Sequence, residues 1–511
     1  MAVKQRKIRA VAEFGDFQTP LALALAATQT LVGLGLRPRS ILEPTCGRGA
    51  FVHAAAISFP EAETIIGIDV NRDHLDIAAL SITDGGSECR IELRQGNFFT
   101  LDWRGVVTPA GGPWLILGNP PWVTNSELGA IGSDNLPRKS NVHGRQGIEA
   151  ITGKSNFDIS EWMLLRYLDW LEASGGTIAV LCKTSVARKV LLRAWKGRYP
   201  IRAARLYRID ALRHFGAAVD ACFFVLETQL GACAVGCDVY ATLDAATPER
   251  TIGFDAGHLI ADRAAFSRQR HLFGPEGQYV WRSGIKHDCS KVMELASVAE
   301  GYRNGLGETV ALEDTVLFPL LKSSDIGNGR LEPRRVMLVP QRSVGQETLS
   351  IARTAPKTWD YLRRHAELLA RRGSVIYKNK PAFSVFGVGP YSFAPWKVAI
   401  SGFYKQLRFV KVGPINGRPV VFDDTVNFLP CRSEEEADFL GALLGSEAAD
   451  QFFRSMIHWE DKRPITVDVL GRLSIGKLAV ALGRGEEYGR YTEPCATPHA
   501  QGESGQRLLF E

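Results

Sequence analysis

The feature that most restricts how this chain can fold is a repeated alternation in its first half. Short apolar runs at 40–43, 65–69, 91–95, 114–118, 177–182, 205–209 and 222–227 are separated by stretches of helical periodicity such as 50–59, 74–81 and 159–173. An apolar run without polar alternation suits a strand covered on both faces, and helices between such strands supply the cover. The expected fold class is therefore α/β, a doubly wound, Rossmann-like and mainly parallel sheet. In such sheets ligands sit at the carboxyl ends of the strands, beside the point where the strand order reverses.

The chemistry-bearing motifs follow the predicted strands. After the first run the chain reads Glu43-Pro44-Thr45-Cys46-Gly47-Arg48-Gly49-Ala50-Phe51, a strand end, a glycine turn and a helix start. Gly47 and Gly49 lack a Cβ, so the backbone there can pass close to a ligand. A dinucleotide fingerprint would need a third glycine where Val52 stands. The acidic Glu43 also disfavours a pyrophosphate and suits a cationic ligand such as a sulfonium. The second run ends in Asp69, about 20 positions beyond the glycines, where a carboxylate can accept from both hydroxyls of a ribose.

The fourth run leads into Asn119-Pro120-Pro121-Trp122. Proline fixes φ and has no N–H, so the turn is stiff and presents acceptors, the Asn119 side-chain oxygen and the Pro120 carbonyl. Two acceptors aimed at a planar, conjugated NH2 group would favour a more tetrahedral nitrogen and stabilise charge developing on it. Trp122 offers a ring on which a flat base can stack.

The segment 123–155 breaks the alternation; it is rich in Gly, Asn and Ser and carries Arg138, Lys139, His143, Arg145 and Lys154. Loops of that length are usually functional or disordered, and this one is expected to order against nucleic acid. Past residue 245 the alternation fades. Between 334 and 380 eleven lysines and arginines face three acids, so that segment carries +8 when the whole chain carries +6. Such a cluster suits a polyanion, with Arg334, Arg335, Arg342, Lys378 and Lys380 as candidate contacts; a solvated helical face is the other reading. Lys397 joins them from 383–411, where aromatic and basic residues interleave. The expected organisation is a catalytic domain over 1–245, including the insertion loop 123–155, an α+β recognition domain over 246–485 and a flexible tail over 486–511.

Composition narrows the classes further. No apolar run approaches the ~20 residues of a membrane span, and no h-region with a cleavage site follows the basic N-terminus, so a cytoplasmic location is expected. The nine cysteines are odd in number and include no Cys-x-x-Cys pair, so neither disulfide nor metal is expected.

In type and order these elements resemble the gamma class of amino-methylating DNA methyltransferases of type II restriction-modification systems. Phe17-Gln18-Thr19-Pro20 is similar to the family's first element, which packs over the methionine end of the cofactor. The glycine turn, with Glu43, Cys46, Gly47 and Gly49, resembles the cofactor turn, and Asp69 the ribose-binding acid. Asn97-Phe98 stands where the family has Asp-Phe near the cofactor adenine. Asn119, Pro120, Pro121 and Trp122 resemble the catalytic motif, with Trp in place of Tyr or Phe. Gly153-Lys154-Ser155-Asn156-Phe157 is similar to the element opening the next helix; Lys154 and Asn156 would then lie near the target base, and Phe215 aligns with an aromatic supporting a flipped adenine. The resemblance implies S-adenosylmethionine as cofactor, leaving as S-adenosylhomocysteine, no metal, and transfer to N6 of adenine in double-stranded DNA. It implies a monomer acting beside a separate cognate restriction endonuclease. In the second half, Pro319–Asp325, Phe386–Gly389, Ala394–Lys397 and Asp461–Pro464 are similar to parts of type II recognition domains.

The loop chemistry alone leaves other planar amines open, an RNA base or a protein glutamine amide. A catalytically dead DNA-binding homologue is a further reading, against which the intact Asn119–Trp122 loop stands. Thr19-Pro20 and the basic, aromatic second half favour DNA.

Overall fold

The computed structural model describes residues 18–82, 89–107, 113–123 and 158–492, in two compact units, Met1–Ala264 and Ala265–Glu511. The first unit holds a ten-stranded sheet. Its strands are β1 (Ser40–Glu43), β2 (Thr64–Asp69), β3 (Arg90–Gln95), β4 (Trp114–Gly118), β5 (Gly176–Lys183), β6 (Ile201–Ile209), β7 (Ala221–Thr228), β8 (Gly236–Tyr240), β9 (Arg250–Asp255) and β10 (His258–Ile260). They lie in the order β10-β9-β8-β6-β7-β5-β4-β1-β2-β3. Strands β1 to β5 pair in parallel, and β7 runs antiparallel between β5 and β6. The winding reverses between β1 and β4, the switch point at which such sheets bind ligands. Every strand expected from the apolar runs is present.

The helices are α1 (Leu21–Gly33), α2 (Ala50–Ser58), α3 (Arg72–Ser81), α4 (Arg104–Val107), α5 (Ile159–Leu171), α6 (Thr184–Lys196) and α7 (Ala211–Phe215). Successive side chains of a strand point to opposite faces. Ile41, Leu115, Leu117, Ala179 and Leu181 accordingly enter one core with α1 and α2. Their neighbours Leu42, Ile116, Ile178 and Val180 enter a second core with α5 and α6. The strands are buried on both faces, which is why they read as unbroken apolar runs. Each fully buried Leu, Ile or Val adds about 1.5–3 kcal/mol.

The first unit runs on to Ala264 instead of ending at 245. Strand β8 pairs in parallel with β6, and β9 and β10 extend the sheet antiparallel. These outer strands are half-buried, and β8 alternates, so the sequence lacks the apolar run that marks the inner ones.

The second unit is α+β, as expected. One sheet has the order β11-β20-β17-β18, from β11 (Arg282–Ser283), β17 (Trp396–Ser401), β18 (Val410–Val412) and β20 (Val426–Cys431). The other has the order β14-β13-β12-β16-β15-β19, from β12 (Glu294–Val298), β13 (Gly301–Arg303), β14 (Thr309–Val310), β15 (Leu317–Leu321), β16 (Arg335–Leu338) and β19 (Val421–Phe422). Residues expected to begin a loose tail instead form a helix, Gly485–Thr492. Tyr488 anchors it by donating to Glu276 Oε1 at 2.8 Å, and the Tyr491 ring lies 5.2 Å from that of Phe439. Among the described residues, no helix is long and apolar enough to cross a membrane.

Candidate active site

The carboxyl ends of the parallel strands bring the predicted motifs together. At the end of β1 the chain turns through Gly47 (φ 51) and Gly49 (φ 78) into α2. A Cβ on Gly49 would lie 2.8 Å from Ala78 Cβ on α3, so only glycine fits both the left-handed backbone and the close approach. Asp69, at the end of β2, holds this turn: Oδ2 accepts from Gly47 N and Oδ1 from Asn71 N, each at 2.8 Å. A carboxylate oxygen has a second acceptor direction, and Oδ1 also faces His74 Nδ1 at 3.7 Å. Buried Cys46 is tied in through its N–H to the Ile68 carbonyl at 2.8 Å.

Glu43 corrects one expectation. It is 3% exposed, and Oε2 accepts from Val52 N in the first turn of α2 at 3.0 Å. Burial pushes its carboxyl well above the usual carboxylate range, the Val52 N–H opposes that, and the nearby Asp69 charge adds to it. It is a buried brace beneath the turn, not an open acidic group. Gly118 (φ 146) lets β4 end against it, since a Cβ there would stand 3.0 Å from Glu43 Cγ.

The Asn119 loop leaves β4 beside this turn. Asn119 Nδ2 donates to Thr19 Oγ1 at 3.2 Å, across 100 residues. Next to Thr19, Gln18 Oε1 accepts from Arg48 N at 3.1 Å. The Gln18-Thr19 pair therefore touches the glycine turn with one side chain and the Asn119 loop with the other. Gln18 was not among the expected site residues; its place within Phe17-Gln18-Thr19-Pro20 was the available signal. Pro20 precedes α1 in an extended conformation. Phe17 lies outside the described residues.

Trp122 is 5% exposed, its Nε1 donating to the Leu181 carbonyl at 3.4 Å. Its ring meets that of Phe215 edge-on, with centroids 5.1 Å apart. The structure thus joins two residues expected near a target base, but Trp122 is a buried support and Phe215 the half-buried ring. Lys154, Asn156, Arg138, Lys139 and Arg145 lie outside the described residues. The base of that segment is pinned, because Ile159 N donates to the Val123 carbonyl at 2.9 Å.

Past β3, Asn97 Oδ1 accepts from Phe99 N at 2.9 Å, closing a local turn. Phe98 is a core aromatic, 4.8 Å from Trp103 and 5.9 Å from Trp162, Tyr167 and Trp170. It backs a cleft of about 310 Å³ lined also by Phe99, Leu101 and Arg166. Asp158 and Lys183 form a charged pair that no motif announced. Asp158 caps α5, and its Oδ2 meets Lys183 Nζ, at the end of β5, at 2.6 Å. An Asp directly before a helical pattern was a legible cap signal.

In the second unit the candidate cations divide. Arg334, Arg335, Arg342, Lys378 and Lys380 are all exposed, two of them with partners as well. Arg335 pairs with Glu294 at 2.9 Å. Arg342 packs over the rings of Phe318 and Phe393, at 4.8 and 4.3 Å, and burial lowers its pKa. The expectation for Lys397 as a DNA contact is overturned: it is 1% exposed, and Nζ donates to the Ala394 carbonyl at 2.5 Å. Burial pulls its amine down to about 7, because an inner strand turns it into the core.

No protein-family model matches the chain. Over 468 residues, 91% of its length, it is 44% identical to the type II methyltransferase M.NspV of Nostoc sp., of which it covers 97%. Over 96 residues, 19% of its length, it is 33% identical to the ribosomal protein uL3 glutamine methyltransferase of Bordetella pertussis, of which it covers 30%. Among solved structures, its fold is similar to that of the type IIL restriction-modification enzyme MmeI, described in complex with DNA, with a TM-score of 0.55 at 12% identity, over 96% of this chain and 69% of that one.

Proposed function

Since this chain belongs to the type II methyltransferases of restriction-modification systems, we propose that it methylates the N6 amino group of adenine at a specific site in duplex DNA. The hydrogen bond from Asn119 to Thr19 carries the reading. An amide has one accepting and one donating end, and only the accepting end suits an NH2 nucleophile. Thr19 takes the donating end and so orients the oxygen.

The residues present fit S-adenosylmethionine. Gly47 and Gly49 form a left-handed turn at the carboxyl end of β1, and Asp69 would offer acceptor directions to a ribose. Asn97 and Gln18 complete the set. When bound, the cofactor supplies an electrophilic methyl group. Asn119 Oδ1 and the Pro120 carbonyl then accept the two N6 hydrogens and stabilise positive charge as it grows on the nitrogen. The alkylated nitrogen would shed its extra proton to solvent water while S-adenosylhomocysteine leaves, so no strong base is needed first. Holding the amine in line supplies the remainder. Extracting a base from the duplex costs a few kcal/mol. Stacking on an aromatic returns roughly 1–3 kcal/mol, a role we assign to Phe215, supported edge-on by Trp122.

The exposed cations of 334–380 support a DNA partner. The role that fits is protection of host DNA, in the cytoplasm, from a separate endonuclease. The similarity to a glutamine methyltransferase over 96 residues favours a second reading, transfer to a protein amide.

Incubation with plasmid DNA and S-adenosylmethionine, followed by single-molecule sequencing, separates the two. N6-methyladenine at one sequence supports the proposal; methyl groups on cytosine or protein alone refute it. Asn119→Ala should abolish transfer while cofactor affinity stays near the parent value. Near-parent methylation by that variant would remove the role given to the loop.

A further inference from the structure

We infer that DNA sequence is read by the hairpin joining β17 to β18, with Phe403, Lys405 and Gln406 as the specificity-determining side chains. This rests on the proposal that the substrate is duplex DNA. It leaves the exposed 334–380 cluster to sequence-independent phosphate contacts.

Strings widely separated in sequence meet at the Ser401 end of β17. Ser323, in the Pro319–Asp325 string, bonds through its hydroxyl to Ser401. Gly402 N donates to the Thr425 carbonyl at 2.9 Å. Arg463, in the Asp461–Pro464 string, donates to the Asp424 carbonyl, and its guanidinium stands 5.6 Å from the Phe403 ring centroid. These three segments therefore converge on the hairpin.

The hairpin is held in one shape. Ser401 Oγ accepts from Phe403 N at 3.3 Å and Tyr404 N at 3.1 Å. The Tyr404 ring lies on Gly327, where a Cβ would overlap it, and its hydroxyl accepts from Asn328 Nδ2 at 3.1 Å. The Arg408 guanidinium lies across Gly329 in the same way. Preorganisation of this kind lowers the ordering cost of binding.

The braced hairpin presents an exposed aromatic. Phe403 is 38% exposed, beside the exposed Lys405, Gln406, Arg408 and Lys462. A phenyl ring among cations, on a rigid support, suits a polyanion that also has flat faces to pack against. The neighbours are the side-chain types that discriminate bases: glutamine pairs with adenine, and lysine or arginine with guanine, in the major groove.

The test is methylation of a duplex library with randomised positions, sequenced for the modified sites, with Phe403→Ala, Lys405→Ala and Gln406→Ala against the parent and against Lys378→Ala/Lys380→Ala. Each substituted residue is on the surface, so folding is checked simply by melting. We expect Gln406→Ala and Lys405→Ala to lose preference at one or two site positions by about 5- to 150-fold. Gln406→Ala should leave the salt dependence of binding unchanged, whereas Lys378→Ala/Lys380→Ala should weaken all sequences alike and lower the salt slope by about 1–2. Phe403→Ala should weaken binding at an unchanged slope. Hairpin variants that read the parent's site with preferences within twofold overturn the inference and leave the proposed function standing. A parent that places no methyl group on adenine overturns the proposed function itself.

Discussion

Replacing Thr19 by Val exchanges a hydroxyl for a methyl group of similar size, so packing is kept while one acceptor is lost. The acceptor holds Asn119 Nδ2 at 3.2 Å, a neutral and rather long hydrogen bond. The net worth of such a bond is about 0.5–1.5 kcal/mol. If its work is to orient the Asn119 amide, that loss falls on the chemical step. At about 1.36 kcal/mol per tenfold in rate, single-turnover methylation should slow by roughly 2- to 13-fold. Cofactor affinity and melting temperature should stay near the parent values. Thr19→Ser retains the acceptor and should recover most of the rate. The assay is single-turnover transfer from labelled cofactor to DNA, with affinity measured by separate titration. An unchanged rate in Thr19→Val would refute the reasoning. So would a loss confined to cofactor affinity, since Thr19 would then hold the ligand and not the amide.

Two further outcomes follow from buried groups. Gly49→Ala forces a left-handed residue, at about 1–2 kcal/mol, and places its Cβ 2.8 Å from that of Ala78; cofactor affinity and melting temperature should both fall, with partial recovery in Gly49→Ala/Ala78→Gly. Lys397 titrates at about 7 when folded and near 10.4 when unfolded, so the unfolded chain binds more protons between those values and stability rises with pH across them. The full penalty applies below about 7 and is gone above about 10.4. Lys397→Met removes it at the loss of one hydrogen bond to Ala394, so it should be about 3 kcal/mol more stable than the parent at pH 6. Urea unfolding at pH 6, 8 and 10 checks this; a difference that does not shrink with pH would show that the amine is not held neutral.

The inner strands were legible because each is covered on both faces, and burial on both faces leaves an unbroken apolar run in the sequence. The glycine turn and the proline-stiffened Asn119 loop were legible for a similar reason: their backbone demands are local, and few residue types meet them. Strands β8 to β10 were not, because half-buried outer strands carry no unbroken apolar run and β8 alone keeps a period of two. The Asn119–Thr19 bond and the Trp122–Phe215 contact join residues about a hundred positions apart. Their meeting depends on the strand order β5-β4-β1, which no local pattern encodes. The charges show the same division. Lys378 and Lys397 look alike in a charge count, yet one is exposed and the other lies in the core. The sequence by itself determined which segments become buried strands and which turns can carry the chemistry, since those depend on neighbouring residues. Only the tertiary structure decided which side chains meet and which cations reach solvent, because both follow from how distant strands are placed side by side.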